Sequence, residues 1–244
     1  MKQLKLAASL FVSASLFSSA IFANVSYKDE AMPVVAAAPY NWTGFYAGLN
    51  AGIVQHTMNI TDTQATSFNA TIQQASSPQF TGGFQAGYRR QLDLTRTSGL
   101  YGLEFSANFS NATFNKQYGS PFALYQLNAK NELNSLCLLQ LIGGIAADRT
   151  LLFLAAGLSW TNITGNVTNQ STVPFFNSFS VSKNVLGTSV GGGVEYAFSE
   201  KISARLKVDF ITPNSYSTSD NTGNSFQISN SIVQSTFGIN YKFG

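Results

Sequence analysis

The chain has 244 residues, of which only 10% are charged, whereas ordinary soluble domains carry about 25% charged residues. Of the 14 basic residues, Lys2 and Lys5 fall in the first five positions, and without them 12 basic residues face 11 acidic ones. This composition is unusual for a cytoplasmic domain, and the near-neutral balance gives no indication of a nucleic-acid partner.

The N-terminus has the pattern of a cleaved secretion signal. Lys2 and Lys5 precede an apolar run over residues 6–17, and small residues follow, with cleavage predicted after Ala20 or Ala23. A membrane anchor is the alternative, but the run is too short to span a bilayer. We predict a signal peptide over residues 1–23, a periplasmic linker over 24–42 and a folded domain over 43–244.

The first predicted strand begins in the phrase Asn41–Gly52 and alternates apolar and small or polar residues, which is the period of a β-strand. Its glycines also spell a doubled GxxxG, which in an apolar helix would be a dimerisation face. Asn50 and the period of two contradict a spanning helix. On a strand these glycines leave room for bulky interior neighbours. A long polar loop is predicted over Ile60–Gln79.

The second and third strands are predicted over Phe80–Leu92 and Leu100–Phe109, with a short turn around residues 95–98. Both alternate between apolar side chains and small or polar ones. In this hairpin we expect Arg89 to lie opposite Glu104 on the polar face. A second long loop follows over Ser110–Asn131.

The fourth and fifth strands are predicted over Glu132–Ala146 and Leu151–Thr161, joined by a tight turn at residues 147–150. Pairing Ile145 with Leu152 places Gln140 opposite Gly157. A buried helix is the alternative for residues 136–145, but its length is too short for a spanning helix. Cys137, the only cysteine, is interpreted as a small apolar residue on a strand. A third long loop follows over Asn162–Asn184.

The sixth and seventh strands form the clearest hairpin, around the turn at residues 199–201. Beyond the turn, apolar residues from Ile202 to Phe210 alternate with polar ones. Pairing Phe198 with Ile202 places Glu195 opposite Arg205, an arrangement that stabilises a strand pair. After a fourth long loop over Thr212–Ile228, the eighth strand runs from Ser229 to Phe243.

Eight strands joined by four long polar loops and three short turns predict an all-β fold. The pattern is that of an eight-stranded antiparallel up-and-down transmembrane β-barrel, with long external loops and short periplasmic turns. Its apolar face would contact lipid and its polar face the interior, which locates the protein in the outer membrane. A secreted lipid carrier, with the apolar face inward, is the alternative.

The inward-facing polar residues are predicted to form a structural network in the lumen. Its members are Arg89, Glu104, Gln140, Glu195, Arg205, Lys207, Asp209 and Lys242. Side chains fill the interior of a barrel of about eight strands, which favours a plugged lumen over a selective ion path. Outward aromatic residues are predicted at the membrane interfaces. They are Phe45, Tyr88, Trp160, Phe198, Tyr241 and Phe243.

No catalytic residues, metal site or cofactor are predicted. Hydrolytic chemistry needs a serine activated by a base, and the only histidine, His56, lies near the outer end of the first strand without a serine at a telling spacing. Cys/His clusters and EF-hand spacing are not found in the sequence. A lipid-modifying enzyme or a small pore remains the alternative to a non-enzymatic envelope protein.

The predicted loops carry few charges. These are Asp62, Lys116, Lys130, Lys183 and Asp220. Because loops on a rigid scaffold carry binding, they predict either adhesion to a host or cell-surface ligand or a hydrophilic coat around a monomer. The residues leave these alternatives open.

Three phrases, at residues 41–48, 191–196 and 238–243, occur at the first, sixth and eighth strands. Together they resemble the small outer-membrane β-barrel domain family, the OmpA- and OmpX-like barrels and immunogenic surface antigens. The resemblance implies contact with outer-membrane lipid and lipopolysaccharide, and insertion by the barrel assembly machinery, which reads the terminal aromatic residue. Two departures are Gly244 after Phe243, and Leu138 with Gln140 where relatives often place inward arginines.

Overall fold

The computed structural model describes residues 40–62, 71–93, 98–118, 127–169, 179–219 and 225–243. The predicted signal peptide, the linker up to residue 39, most of the first turn, Asp220 and Gly244 lie outside these ranges. The described residues form ten strands. They are β1 (Gly44–Asp62), β2 (Thr71–Ala75), β3 (Gln79–Asp93), β4 (Ser98–Tyr118), β5 (Leu127–Ala147), β6 (Thr150–Asn169), β7 (Phe179–Ala197), β8 (Ile202–Pro213), β9 (Tyr216–Ser219) and β10 (Ser225–Phe243).

Eight long strands close into one antiparallel barrel. The order is β1-β3-β4-β5-β6-β7-β8-β10, and β10 pairs again with β1 from Phe45↔Phe243 to Asp62↔Phe226. The short strands β2 and β9 pair with the outer parts of β1 and β10. The predicted all-β, eight-stranded barrel is therefore confirmed. In the part of the chain that is described, no helix is long and apolar enough to cross a membrane.

Two short turns set the strand registers at one end of the barrel. Between β5 and β6, Ala147 pairs with Thr150, and Asp148 adopts a positive φ of 51°. Between β7 and β8, the Phe198 N–H donates to the Ile202 carbonyl at 3.0 Å. The predicted pairs Glu195↔Arg205 and Gln140↔Gly157 are confirmed. Because periplasmic turns are short in this class of barrel, this end is the periplasmic one.

The predicted opposition of Arg89 and Glu104 is wrong. Arg89 pairs with Gly102, and Glu104 pairs with Gly87. The prediction requires Leu94 to pair with Gly99, whereas the first cross-strand pair is Asp93↔Ser98, so the turn is shifted by one residue along the chain. The position of the turn fixes the register of a hairpin, so the shift offsets the two residues by two positions along the strands, although an Arg89 guanidinium nitrogen still lies 3.9 Å from Glu104 Oε2.

The exposed outer face of the strands is apolar and the buried charged side chains face inward, as predicted for a membrane barrel. On β8, exposure alternates at every residue in the middle of the strand: Leu206 is 58% exposed and Lys207 is 3% exposed. The outward aromatic residues are also exposed, and several pair with each other: the ring centroids of Phe45 and Tyr88 are 4.8 Å apart, and those of Tyr241 and Phe243 are 5.2 Å apart. A lipid carrier would have the reverse arrangement.

This orientation predicts that a charged side chain on the outer face lowers the free energy of unfolding, and by more at the middle of the membrane than at its edge. Leu206→Arg, midway along the apolar band, is expected to lower the free energy of unfolding by about 2–4 kcal/mol, and Phe45→Arg, at the periplasmic rim, by about 0–1 kcal/mol. Reversible unfolding of the two variants in lipid vesicles measures the difference. Equal costs at both positions would contradict the assignment of the lipid face.

The strands run further outward than the sequence predicted. β4 and β5 each have 21 residues, or roughly 70 Å of extended chain and roughly 50 Å of height at a tilt of about 45°. The apolar band of an outer-membrane barrel is only about 25 Å tall. Parts of all four predicted loops are therefore strand, and the predicted loop boundaries are wrong. Outside the membrane both faces of a strand contact water, so the sequence does not need to alternate between apolar and polar residues there, and such a strand is not detected by this pattern.

Candidate functional site

The lumen of the barrel is filled in three layers. The lower apolar layer, at the periplasmic end, consists of Tyr40, Trp42, Leu100, Ile142, Ala146, Leu151, Phe153, Ala155 and Ala197. The upper apolar layer consists of Val54, Leu133, Leu136, Leu138, Ile163, Ile211 and Ile232. Between them lies the ionic layer, whose charged members are Arg89, Glu104, Glu195, Arg205, Lys207 and Asp209. These six charges balance, with three of each sign.

Glu104 on β4 is the hub of the ionic layer. Both terminal nitrogens of Arg205 donate to its carboxylate, and the second of these bonds measures 2.9 Å. Lys207 Nζ lies 3.3 Å from Glu104 Oε1, and the Tyr46 hydroxyl donates to Oε2. A charge-assisted, bidentate arginine–carboxylate pair is among the strongest side-chain interactions. A single carboxylate thus holds β1, β4 and β8 together.

Arg89 and Glu195 form the second ion pair, at 2.8 Å. The Arg89 guanidinium also lies over the Tyr46 ring, 3.9 Å from its centroid. Ser203 Oγ and Asn240 Nδ2 both donate to Glu195 Oε1, the latter at 2.9 Å. The carboxylate is therefore held by groups from three other strands.

Gln140 on β5 connects the remaining charges. Its Nε2 donates to Asp209 Oδ1 at 2.9 Å and to Ser189 Oγ at 3.1 Å, while its Oε1 accepts from Lys207. Lys207 also pairs with Asp209 at 3.2 Å. Both amide atoms of Gln140 are thus used, and the interior chain of contacts runs from β5 to β8.

The two main ion pairs join strands on opposite sides of the barrel. Glu104 and Arg205 lie on β4 and β8, and Arg89 and Glu195 lie on β3 and β7. In each pair the two strands are four apart around the eight-stranded circle. Side chains therefore span the full diameter of the lumen, which leaves no open axis at this level.

Seven of the eight predicted network residues come together in this layer, and Lys242 does not. Lys242 lies at the periplasmic rim, where its Nζ donates to the Asn41 carbonyl at 2.6 Å and sits 4.5 Å from the Tyr40 ring centroid. These contacts hold its side chain along the mouth of the barrel and away from the ionic layer. Arg205, which pairs with Glu195 in backbone register, sends its guanidinium across the lumen to Glu104.

The register pairs long interior side chains with glycines. Glu104 lies opposite Gly87, Gln140 opposite Gly157, and Lys207 opposite Gly193. A Cβ atom at Gly157 would lie against the Leu139 carbonyl oxygen and 2.7 Å from Gln140 Cα. Close approach of neighbouring backbone and side chains thus requires glycine here, the role that the sequence analysis predicted for the glycines of the first strand.

Several members of the network were not singled out in the sequence. Gln85 Nε2 donates to Asn240 Oδ1 at 2.7 Å, and Asn50 Nδ2 donates to Gln85 Oε1. Tyr46 and Ser203 contact the two buried glutamates. The signal for all five was their position on the inward face of alternating strands, since neutral polar residues on that face need partners as charged ones do.

The segment Tyr40–Thr43, which we call the strap, enters the periplasmic mouth. Tyr40 and Trp42 are each 3% exposed, and their rings pack edge to face with centroids 4.6 Å apart. Burial raises the pKa of Tyr40 to about 12. The sequence assigned residues up to 42 to a linker, but the described end of that stretch is packed into the barrel.

His56 is buried inside the outer part of the barrel. Its Nε2 lies 3.0 Å from Asn230 Oδ1. The nearby Ser76 Oγ accepts a hydrogen bond from the His56 backbone N–H at 2.9 Å. The serine therefore contacts the main chain of the histidine and not its ring. In a nucleophile–base pair the imidazole would accept the hydroxyl proton.

The charged side chains of the ionic layer thus balance one another inside the barrel, and comparison with known proteins gives the family of the chain. Residues 31–243 match the outer membrane protein beta-barrel domain. The chain belongs to this family. The family places the protein in the outer membrane of a bacterial envelope, in agreement with the apolar outer face of the barrel.

Two relatives are similar along almost the whole length of this outer membrane β-barrel protein. They are the 31 kDa outer-membrane immunogenic proteins of Brucella melitensis and Brucella suis, each 25% identical over 95% of this chain and 97% of the relative. Among solved structures, OprG of Pseudomonas aeruginosa is 14% identical over 84% of this chain and 98% of its own, with a TM-score of 0.49. Neisserial surface protein A is 14% identical over 82% and 98%, with a TM-score of 0.40.

Proposed function

We propose that this protein is a non-enzymatic outer-membrane barrel that is closed to solutes, strengthens the envelope and presents its outer wall to the surroundings. The observation that carries the proposal is the pair of ion pairs that span the lumen, Arg205–Glu104 and Arg89–Glu195. A pore needs a continuous wet path. Here side chains from opposite strands meet on the axis.

The two apolar layers support the same conclusion. A solute entering from either side would first meet buried aliphatic or aromatic side chains, such as Leu138 above and Phe153 below. Desolvating an ion at such a layer is costly. The ionic layer then offers an entering ion no unpaired charge, because its positive and negative groups neutralise each other.

The outer wall supports a role at the cell surface. Six of the eight barrel strands have 19 to 21 residues, about twice the roughly 10 residues that a tilted membrane strand needs. The Brucella relatives are named as immunogenic outer-membrane proteins. Exposure of the corresponding wall in this protein fits an antigen-like or adhesive role, in contact with lipopolysaccharide and with a ligand of another cell.

Planar-bilayer recording tests the closed lumen. We expect the native protein to give no resolved single-channel steps. Leu138, Gln140 and Ile142 lie two residues apart on β5 and give one side chain to each layer. Replacing all three with alanine is expected to open a continuous space along the lumen side of β5 and to produce small single-channel current steps.

The matched control for this recording is the double variant Leu139→Ala and Leu141→Ala. These two leucines lie on the same strand and alternate with the three lumen residues. These changes remove side-chain volume outside the lumen, so we expect no single-channel current steps from this variant. Large, reproducible steps from the native protein would overturn the proposal of a closed barrel.

A further inference from the structure

The strap is held at the periplasmic mouth by a small set of polar contacts. The backbone N–H of Trp42 donates to Gln91 Oε1 at 2.9 Å, and the backbone N–H of Gln91 donates to Thr43 Oγ1 at 3.0 Å. Lys242 Nζ donates to the Asn41 carbonyl at 2.6 Å. These contacts fasten the strap to β3 and β10, the two strands that flank β1 in the barrel.

The two aromatic rings of the strap complete the lower apolar layer. Tyr40 and Trp42 pack with Leu100, Leu151 and Phe153, which belong to the strands. The interior face of the strands alone would leave these side chains facing the periplasm. Apolar surface exposed at a mouth is unfavourable in water, and the strap covers it.

A small chamber separates the strap from the ionic layer. Its volume is about 10 Å³, and its lining includes Trp42, Arg89, Glu195 and Ser203. That volume is at the lower limit for holding one water molecule. The strap and Lys242 line the periplasmic side of this chamber, and the Arg89–Glu195 ion pair lines its inner side.

One feature of the seated strap opposes its burial. The indole Nε1 of Trp42 is buried without a hydrogen-bond partner among the described residues, and so is Arg89 Nε above it. A buried polar group that lacks a partner costs free energy, and it regains hydrogen bonds when it reaches water. Release of the strap would hydrate the indole N–H, which offsets part of the loss of apolar contact. The strap is thus less firmly held than the strands.

We propose that the strap is a releasable stopper: it seals the chamber beneath the ionic layer from the periplasm, and its release wets the lumen only as far as the Arg89–Glu195 pair. This inference goes beyond the proposed function. The closed lumen depends on side chains that span the barrel, and these stay in place when the strap leaves.

Thiol labelling measures the seal. In a Cys137→Ser background, Ser203→Cys places a thiol in the chamber wall, below the ionic layer. With the strap intact, we expect slow reaction with a water-borne thiol reagent. Combining Ser203→Cys with Tyr40→Ala and Trp42→Ala is expected to raise the labelling rate at least tenfold. An equal rate with and without the two aromatic rings would overturn the stopper.

Two further variants separate the seal from general loosening. Lys242→Met keeps both rings but removes the bond to the Asn41 carbonyl, so an intermediate labelling rate is expected at Ser203→Cys. Trp42→Phe keeps an aromatic ring without the buried N–H and is expected to preserve protection. Retained resistance to unfolding in cold detergent establishes that each variant is a folded barrel.

A second reporter distinguishes this inference from the proposed function. Ser189 contacts Gln140 in the ionic layer, and Ser189→Cys is expected to stay protected whether or not the strap is present. Labelling of Ser189→Cys only after strap removal would contradict the limit set by the ionic layer. Labelling of Ser189→Cys with the strap intact would contradict the closed lumen itself.

Discussion

Replacing Glu104 with glutamine is expected to lower the free energy of unfolding by about 3–5 kcal/mol, because removing one partner of a buried ion pair leaves the other charge uncompensated. The carboxylate pairs with Arg205 and Lys207 and accepts the Tyr46 hydroxyl hydrogen bond. Glutamine keeps the volume and part of the hydrogen bonding. The loss is therefore one of charge, and it changes the ionic layer from neutral to positive.

Equilibrium unfolding in lipid vesicles, followed through the two tryptophans, measures this loss. Glu200→Gln is the matched control, since Glu200 pairs with Arg149 at 3.3 Å but its side chain is 68% exposed. A surface pair contributes about 0–1 kcal/mol. The double variant Glu104→Gln with Lys207→Gln restores neutrality and is expected to recover part of the loss. If Glu104→Gln and Glu200→Gln lowered the free energy of unfolding by similar amounts, the ionic layer would not stabilise the barrel as argued.

Gly157→Leu is expected to destabilise the barrel by about 3 kcal/mol or more, since overpacking a filled interior distorts side chains and backbone. A Cβ atom at this position would lie 2.7 Å from Gln140 Cα and against the Leu139 carbonyl oxygen. These are backbone atoms of the paired strand, which cannot turn aside as a side chain can. The remaining carbons of leucine would displace Gln140 from Asp209.

Gly143→Leu is the control for this substitution. Gly143 lies on β5 on the outward face, and a Cβ atom there meets nothing within 4 Å. The same leucine would point toward lipid and is expected to be tolerated or mildly stabilising. Folded yield after refolding into vesicles and the denaturation midpoint compare the two variants. Equal tolerance at both positions would contradict the filled lumen.

Alternation in the sequence was sufficient to predict the fold and which side chains face inward. The turn at residues 199–201 was enough to give the pair Glu195↔Arg205, because a three-residue connection fixes the register. The identity of the ion-pair partners could not be obtained in the same way. Sequence reasoning compares neighbours on adjacent strands, whereas Arg205 reaches Glu104 on the far side of a narrow barrel.

The outer strand ends and the strap were missed for a different reason. Polar residues of β4 beyond Ser110 pair through their backbones with β5, and backbone pairing outside a membrane leaves little trace in side-chain hydropathy. The strap lies next to two prolines and an Ala-Val run, which is typical of a linker. Only the three-dimensional mouth of the barrel makes Tyr40 and Trp42 interior residues.

The ladder between β1 and β10 has a kinetic consequence. It joins the two ends of the folded chain, from Phe45↔Phe243 to Asp62↔Phe226, without interruption. Contacts of such large sequence separation form late and slowly. Until this seam closes, the sheet has two long edges whose amides and carbonyls lipid cannot satisfy. During insertion, the unpaired edges of β1 and β10 therefore need to be shielded from lipid. This requirement ends when the two strands pair with each other.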